Sequence, residues 1–297
     1  MEPDWTLLRS FLAVAETGSL SAAARALGQS QPTLGRHVQD LEAQLGTVLF
    51  TRALRGMALT PAGAALLPAA REMRAAAARL SLVAAGREER MQGTVRLTAS
   101  RAVSQFLLPA ILADLRRAEP GIEIEVVPSD TSENLLFREA DIALRMYRRE
   151  QLDVVTRHVA DLAMGLYAAP SMLTDGLPGD VAALMRLDFV GLDRSDLMLR
   201  MMASLGIQRR REDFGVRCDD QVVYWALVRA GCGVGAMQRV VGDADPSVVR
   251  IADFVPLPSL PVWLTVPDPL RQNPRVRRVL DHLAAAFAAL DPARGIG

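Results

Sequence analysis

Cysteine is scarce in this chain of 297 residues, and lysine is absent. The two cysteines, Cys218 and Cys232, are too few for a disulfide framework, and with three histidines they match no zinc-ligand spacing. We expect two buried free thiols, because free cysteine packs as a small apolar residue. A redox-sensing pair is the alternative, although a predicted helix separates the two sulfurs and their bridging would demand rearrangement.

Net charge and long apolar runs are also missing. Arginine supplies all 34 basic side chains, and 34 acids balance them. This balance excludes a protein coated in basic charge, so any DNA binding needs a local patch. The first residues, MEPDWTLLRS, carry acids where a secretory signal needs bases, and no apolar run is long enough to span a bilayer. We expect a cytosolic, soluble protein with no membrane partner.

What is present is ordinary globular composition, with 50% hydrophobic and 23% charged residues. The length allows two or three domains with their own cores. We therefore expect a multidomain protein.

Helical spacing of apolar residues predicts three short helices near the start of the chain. Gly18 ends the first, Ser19 or Ser21 caps the second, and Ser30 caps the third, in which Pro32 occupies the first turn. The predicted buried stripes are Leu8, Phe11, Leu12 and Ala15 in the first helix, and Leu34, Val38, Leu41 and Leu45 in the third.

Two short apolar segments follow, residues 48–50 and 57–59, with a turn near Arg55 and Gly56. They predict a two-stranded wing. Three helices followed by a wing is the order of a winged helix-turn-helix, so residues 1–60 are predicted to form a DNA-binding domain of this kind.

A linker helix is predicted over residues 61–90, beginning at the Thr60-Pro61 pair. Leu66, Met73 and Leu80 recur at seven-residue spacing. Such a narrow seam is typical of a helix that meets a partner helix, so we assign these three residues to dimerisation. Packing of the seam on its own domain is the alternative.

Residues 93–297 alternate between strand-like and helix-like segments, which predicts an α/β domain of two lobes. Lobe I is assigned to residues 93–163 and 267–297, and lobe II to residues 164–266. Crossing strands between two lobes imply a cleft between them.

The motifs of the first third are specific. The run FLAVAETGSLSAAARALGQSQPTLGRHVQDLEAQLGTVLFTRALRGMALTPAGAALLP resembles the N-terminal signature of LysR-type transcriptional regulators nearly residue for residue. The segments GTVRLTASRAVSQFLLPAILADLRRAEPGIEIEV, ADIALR and GCGVGAM are similar to the effector domain of that family. The resemblance covers essentially the whole chain.

This resemblance implies a ligand domain like that of periplasmic binding proteins, dimers or tetramers built through the linker helix, and repression or activation controlled by a small-molecule effector. It also implies RNA polymerase as a partner of an activator. No cofactor is expected. The chain departs from the family at Gly35, where serine is common, and so lacks a hydroxyl that often contacts DNA.

For the DNA site, a recognition helix inserts its N-terminal turns into the major groove. Arg36 suits a guanine edge, Gln31 an adenine and Thr33 a thymine methyl, whereas Ser30 suits a phosphate. The remaining candidates are Pro32 in the same turn, and Arg52 and Arg55 of the wing for backbone or minor groove. A solvated helix face is the alternative for Arg36, His37 and Asp40.

For the effector site, ligands of open α/β sheets lie beyond the carboxyl ends of strands. This places the candidates Ser100, Arg101, Ser129, Thr131, Arg145 and Asp193 at the cleft. Arg101 and Arg145 favour an effector that carries a carboxylate, because arginine pairs with carboxylates through two hydrogen bonds. Double-stranded DNA is the expected macromolecular partner. Gly231, Gly233 and Gly235 predict a close turn near the cleft.

An enzyme on the α/β lobes is the first rival class. The GCGVG segment lacks the spacing of a nucleotide loop, and His37, His158 and His282 lie in unrelated segments, so we expect no catalysis. A solute-binding protein is the second rival, but a predicted DNA-binding domain precedes the lobes.

Overall fold

In the computed structural model the chain forms two compact units, Met1–Val83 and Ala84–Gly297. The structure describes residues 4–53, 56–86, 91–130, 140–147 and 154–291. Arg55, Thr131 and the helix that the sequence suggests at 133–138 lie outside these ranges.

Three helices begin the first unit, α1 (Trp5–Thr17), α2 (Leu20–Leu27) and α3 (Gln31–Leu45). Asp4, Ser19 and Ser30 cap them, each accepting a backbone N–H bond of the first turn. Between Ser19 and Ser21, the structure selects Ser19. The predicted three-helix order is confirmed.

The core of this unit lies between these helices. Phe11, Leu34 and Leu41 are completely buried, and Leu45 packs at the edge. Burying each such side chain stabilises the fold by roughly 1.5–3 kcal/mol. The predicted apolar stripes therefore form one core.

A wing and a long helix complete the unit. Strands β1 (Phe50–Ala53) and β2 (Gly56–Leu59) pair antiparallel, with Phe50 opposite Leu59. Helix α4 (Pro61–Gly86) follows, and the Thr60 hydroxyl caps it by accepting from Gly63 N at 3.0 Å. The predicted wing and the start of the linker helix are confirmed.

In the second unit, lobe I is a five-stranded sheet of order β4-β3-β5-β12-β6. Strand β3 is parallel to β4 and β5, and β12 is antiparallel to β5 and β6. The strands span β3 (Gly93–Ala99), β4 (Ile122–Pro128), β5 (Ile142–Arg145), β6 (Val154–Leu162) and β12 (Leu260–Pro267). The helices of this lobe are α5 (Arg101–Phe106), α6 (Leu108–Ala118) and α11 (Pro274–Ala289).

One sequence-based expectation in lobe I is wrong, and one strand was not predicted. A single helix is expected from Val103 to Arg117, but the chain breaks at Leu107 because Pro109 has no N–H to continue the helix. The sequence also gives no signal for β6, since Thr156, Arg157 and His158 interrupt the apolar alternation of this edge strand.

Lobe II contains a three-stranded sheet of order β10-β7-β11 and a parallel pair, β8 and β9. A bridge between Phe189 and Val234 joins the two sets. The strands span β7 (Met164–Ala168), β8 (Val190–Gly191), β9 (Val216–Arg217), β10 (Gly235–Gln238) and β11 (Val249–Ile251). The helices are α7 (Val181–Leu184), α8 (Leu197–Ser204), α9 (Gln221–Arg229) and α10 (Arg239–Gly242).

The chain crosses between the lobes twice, from β6 to β7 and back into β12. The sequence assigns residues 164–266 to lobe II, whereas β12 places residues 260–267 in the sheet of lobe I. The sequence does predict the segment PVWLTVPDP as a strand that returns to lobe I, and the pairing of β12 with both β5 and β6 confirms it, so the bound at residue 266 is too late.

Candidate nucleic-acid interface and ligand cleft

The first turn of α3 is fixed by its cap. Ser30 Oγ accepts from Thr33 N at 3.3 Å and lies 2.7 Å from Thr33 Oγ1. Pro32 adds a fixed φ in the same turn. All three side chains are exposed, so the start of this helix is rigid and open to solvent.

Gln31 and Arg36 extend the exposed face. Gln31 Oε1 accepts from Ser21 Oγ of α2 at 3.0 Å. The Arg36 side chain is 82% exposed, and its Nε lies 3.7 Å from Asp40 Oδ2. An exposed pair at that distance is worth at most about 1 kcal/mol, so the guanidinium exchanges partners easily. The structure therefore places Ser30, Gln31, Thr33 and Arg36 together on one accessible helix surface.

His37 belongs to the interior side of the same helix. Its Nδ1 lies 2.9 Å from Ser10 Oγ, and Ser10 is buried in α1. His37 thus ties α3 to α1.

Glu42 anchors the wing to α3, a role that the sequence does not reveal. Its Oε1 accepts from Leu49 N at 2.7 Å and from Phe50 N at 3.2 Å. Thr60 Oγ1 donates to Val48 O at 2.7 Å from the other end of the wing. Arg52 is exposed on β1, so its position relative to α3 follows from these bonds.

The predicted dimerisation residues differ in their surroundings. Leu66 packs against the core of its own unit, whereas Met73 is 43% exposed. The side chain of Leu80 lies outside the described part. Arg74 of the same helix makes two bonds to Glu16, at 2.8 and 2.7 Å.

In lobe I, the strand register brings the candidate ligand residues to one edge. Ala99 is paired with Leu144 of β5, and Ser129 N donates to Ala99 O at 2.8 Å. Ser100, Ser129 and Arg145 consequently lie next to one another at the carboxyl ends of β3, β4 and β5. The sequence predicts that these residues lie at a common edge of the sheet, and the strand register agrees with this prediction.

Both candidate arginines already have partners. Arg145 is buried, with Nη1 donating to Leu144 O at 3.0 Å and Nη2 to Thr98 Oγ1 at 3.1 Å. Arg101 Nε lies 3.0 Å from Asp220 Oδ2. Since Arg101 is in lobe I and Asp220 in lobe II, this ion pair joins the two lobes.

Asp220 is a functional candidate that the sequence analysis missed. Its Oδ1 caps α9 by accepting from Val222 N and Val223 N at 3.0 and 3.1 Å, while Oδ2 pairs with Arg101. An acid directly before an apolar helical run is the cap signal that could have identified it.

Asp193 is exposed on the lobe II side and pairs with Arg217 at 3.8 Å. Its backbone is held by Asp219, which accepts from Asp193 N at 2.9 Å and from Arg194 N. Desolvation raises the pKa of the Asp219 carboxyl, but the N–H groups of Arg194, Asp193 and Ser195 outweigh it and hold that pKa below its ordinary value.

The glycine turn before β10 makes the predicted close approach. Gly233 has φ of 157°, and a Cβ there would lie 2.6 Å from Val190 N of β8. Cys218 and Cys232 are free and half-buried, rather than fully buried as expected.

Within the ranges that the structure describes, no group of three or more His, Cys, Asp or Glu could hold a metal ion. Among the helices of the same ranges, none is both long and apolar enough to cross a membrane.

A winged helix-turn-helix followed by a two-lobed α/β unit defines a class of one-component transcription regulators. Comparison with known families assigns the chain within that class. Residues 5–64 match the profile described as "Bacterial regulatory helix-turn-helix protein, lysR family", and residues 88–288 match "LysR substrate binding domain". The chain belongs to the LysR family and is a LysR-type transcriptional regulator with an effector-binding domain.

Curated relatives align over nearly the whole chain. An HTH-type transcriptional repressor of Pseudomonas aeruginosa is 27% identical, over 95% of this chain and 92% of the relative. The Mau operon transcriptional activator of Paracoccus denitrificans is 28% identical, over 96% and 97%.

Among solved structures, full-length CbnR complexed with its target DNA is similar in fold, with a TM-score of 0.51 and 23% identity over 96% of this chain and 99% of CbnR.

Proposed function

We propose that this regulator reads specific duplex DNA with the start of α3 and that a small molecule in the cleft between the lobes controls this binding. The observation that carries the proposal is the rigid, exposed face of α3, capped by Ser30 and held to the wing through Glu42. On this proposal the effector is the only small molecule required, and the protein acts without catalysis.

The roles follow from side-chain chemistry. Arg36 leaves Asp40 and donates two hydrogen bonds to the major-groove edge of a guanine. Gln31 pairs with adenine in exchange for its bond to Ser21, and Thr33 touches a thymine methyl. Ser30 and Pro32 lie against the backbone, and Arg52 of the wing reaches phosphate or minor groove, as does Arg55 outside the described part.

The assembly proposed is a homodimer or homotetramer formed through residues 61–90. The exposed Met73 supports it, because a large apolar side chain on a linker helix favours contact with a partner helix. RNA polymerase is the further partner if the protein activates transcription.

The effector proposed is a carboxylate. Arg101 is 53% exposed at the cleft, next to Ser100, Ser129 and the buried Arg145. Since Arg101 already pairs with Asp220, an effector carboxylate takes the place of the Asp220 carboxylate. Binding of such an effector thereby changes the link between the lobes.

The DNA proposal is tested with duplexes selected from a random library by the full-length protein. We expect Arg36→Ala to weaken binding to the selected sequence by about 1–3 kcal/mol while changing random-duplex binding far less. Fluorescence anisotropy at several salt concentrations measures both affinities.

Arg277→Ala is the matched control, because it removes the same side chain and charge from an exposed arginine–aspartate pair of α11, in which Arg277 Nε lies 3.9 Å from Asp281 Oδ2. Equal losses on selected and random duplex for Arg36→Ala would show that Arg36 contacts no base.

A further inference from the structure

Lobe II encloses a cavity of about 340 Å³ that the cleft proposal does not use. It lies between one face of β7 and β10, the helices α7 and α8, and residues 254–258. Its size falls within the range of small-molecule sites, roughly 300–1,000 Å³.

Among the described residues, the lining contains no charged side chain. Five methionines contribute to it: Met164, Met185, Met198, Met201 and Met202. Methionine is unbranched and polarisable, so such walls adapt to ligands of different shape. A charged ligand would lose its hydration here without any compensating partner, which favours an uncharged one.

The mouth of the cavity is marked by large apolar side chains in solvent. Leu197 is 51% exposed, and Val181, Leu205 and Phe254 are each at least 40% exposed. A cluster of exposed large apolar side chains is unusual on the surface of a soluble protein and is typical of ligand-binding grooves.

The opposite face of the same sheet is fully packed. Tyr167 of β7 is completely buried against Trp225 of α9, with ring centroids 5.5 Å apart. Met164 and Leu166, which alternate with it along β7, line the cavity instead. The empty volume is therefore confined to one side of lobe II.

One buried donor faces this volume. Tyr224 is 2% exposed, lines the cavity, and its Oη accepts from Ala236 N at 2.9 Å. The hydroxyl hydrogen has no acceptor among the described residues. Burial raises the pKa of Tyr224 to about 12, so the hydroxyl keeps its proton. A buried donor without an acceptor is costly, and a ligand acceptor would relieve this cost.

We infer that the cavity binds an uncharged, mostly apolar molecule with a single hydrogen-bond acceptor directed at Tyr224. Benzene fills a cavity of roughly 150 Å³, so about 340 Å³ accommodates two rings or one ring with a short chain. This site is additional to the cleft, since its lining includes neither Arg101 nor Arg145 and rejects carboxylates.

Three probes of one shape test the inference by titration calorimetry on the full-length protein. We expect 2-acetonaphthone, which has a carbonyl acceptor, to bind about fivefold more tightly than 2-isopropylnaphthalene, which has none. We expect 2-naphthoate not to displace 2-acetonaphthone, even if it binds in the cleft. Failure of both neutral probes to bind, or displacement by 2-naphthoate, would overturn the inference.

Variants locate the binding. Tyr224→Phe should abolish the preference for the ketone, and Leu197→Asp should weaken both neutral probes at least tenfold. Val223→Asp is the control, because Val223 is 47% exposed in the first turn of a neighbouring helix and is not part of the lining. Equal weakening by Leu197→Asp and Val223→Asp would contradict the assigned location. DNA binding is measured separately on the unliganded protein, so a failure of the DNA proposal can be distinguished from a failure of the cavity proposal.

Discussion

At the residue scale, Gly35 sits in the interior of α3 in a helical conformation, at a position where an added Cβ would meet nothing within 4 Å. Gly46 ends the same helix and is equally open, but its φ is 64°. Both positions have room for a Cβ, but only Gly46 has the positive φ that disfavours other residues. Substitutions at the two glycines therefore test backbone conformation without a steric difference.

We expect Gly35→Ala to stabilise α3 by about 0.5–1 kcal/mol, because alanine has the higher helix propensity. Hydrogen exchange of the α3 amides in the full-length protein measures this change. Gly46→Ala is the matched control and should destabilise the helix end by a similar amount. Slower exchange in both variants would show that φ is not the deciding factor.

Residue identity alone predicted the caps at Ser30 and Thr60, because a cap depends on the few residues that follow it. The same is true of Gly18, which ends α1. Partners distant in sequence were not predictable. Arg101 meets Asp220 and His37 meets Ser10 only because separate elements pack together.

At the element scale, one carboxylate determines where the wing begins. Glu42 Oε1 accepts from Leu49 N and Phe50 N, and both of these residues are buried. Without this acceptor, two backbone N–H groups at the start of the wing would be left unsatisfied away from water.

We expect Glu42→Ala to loosen the wing by about 1–3 kcal/mol, the cost of leaving buried donors unpaired. Hydrogen exchange at Leu49 and Phe50 should accelerate accordingly. Glu42→Gln retains one oxygen and should have a smaller effect. Gln39→Ala, at an exposed position of α3, provides the control. Unchanged exchange in Glu42→Ala would exclude the anchoring role.

Elements with a clear period were predictable and those without one were not. The helices of the first unit follow from apolar spacing, whereas β6 has polar residues at its centre and is defined by pairing with β12. The apolar run of β12 did predict a strand that returns to lobe I, but only its pairing with β5 and β6 shows that it begins at Leu260.

At the scale of the whole molecule, a DNA-binding unit and a ligand-binding unit occur in one chain. Among the described residues of the second unit, one ion pair links the lobes. Arg101 and Asp220 are 53% and 27% exposed, so the pair contributes at most about 1 kcal/mol and competes weakly with a ligand.

We expect Asp220→Asn to tighten the binding of small carboxylates by about two- to fivefold, because it removes the competing charge while asparagine still caps α9. Calorimetry with a panel of small organic acids measures this. Arg101→Ala should abolish the gain, and Arg117→Ala, an exposed arginine of α6, should not. A panel in which only neutral or cationic compounds bind would overturn the carboxylate proposal.

The sequence by itself determined the family, the winged helix-turn-helix and the two-lobed α/β class, because local spacing, caps and a dense N-terminal motif encode them. Only the tertiary structure decided the partners of Arg101, the anchor provided by Glu42, the edge strand β6 and the cavity beside Tyr224. Each of these depends on side chains brought together from distant positions, and no local pattern specifies which distant surfaces will meet.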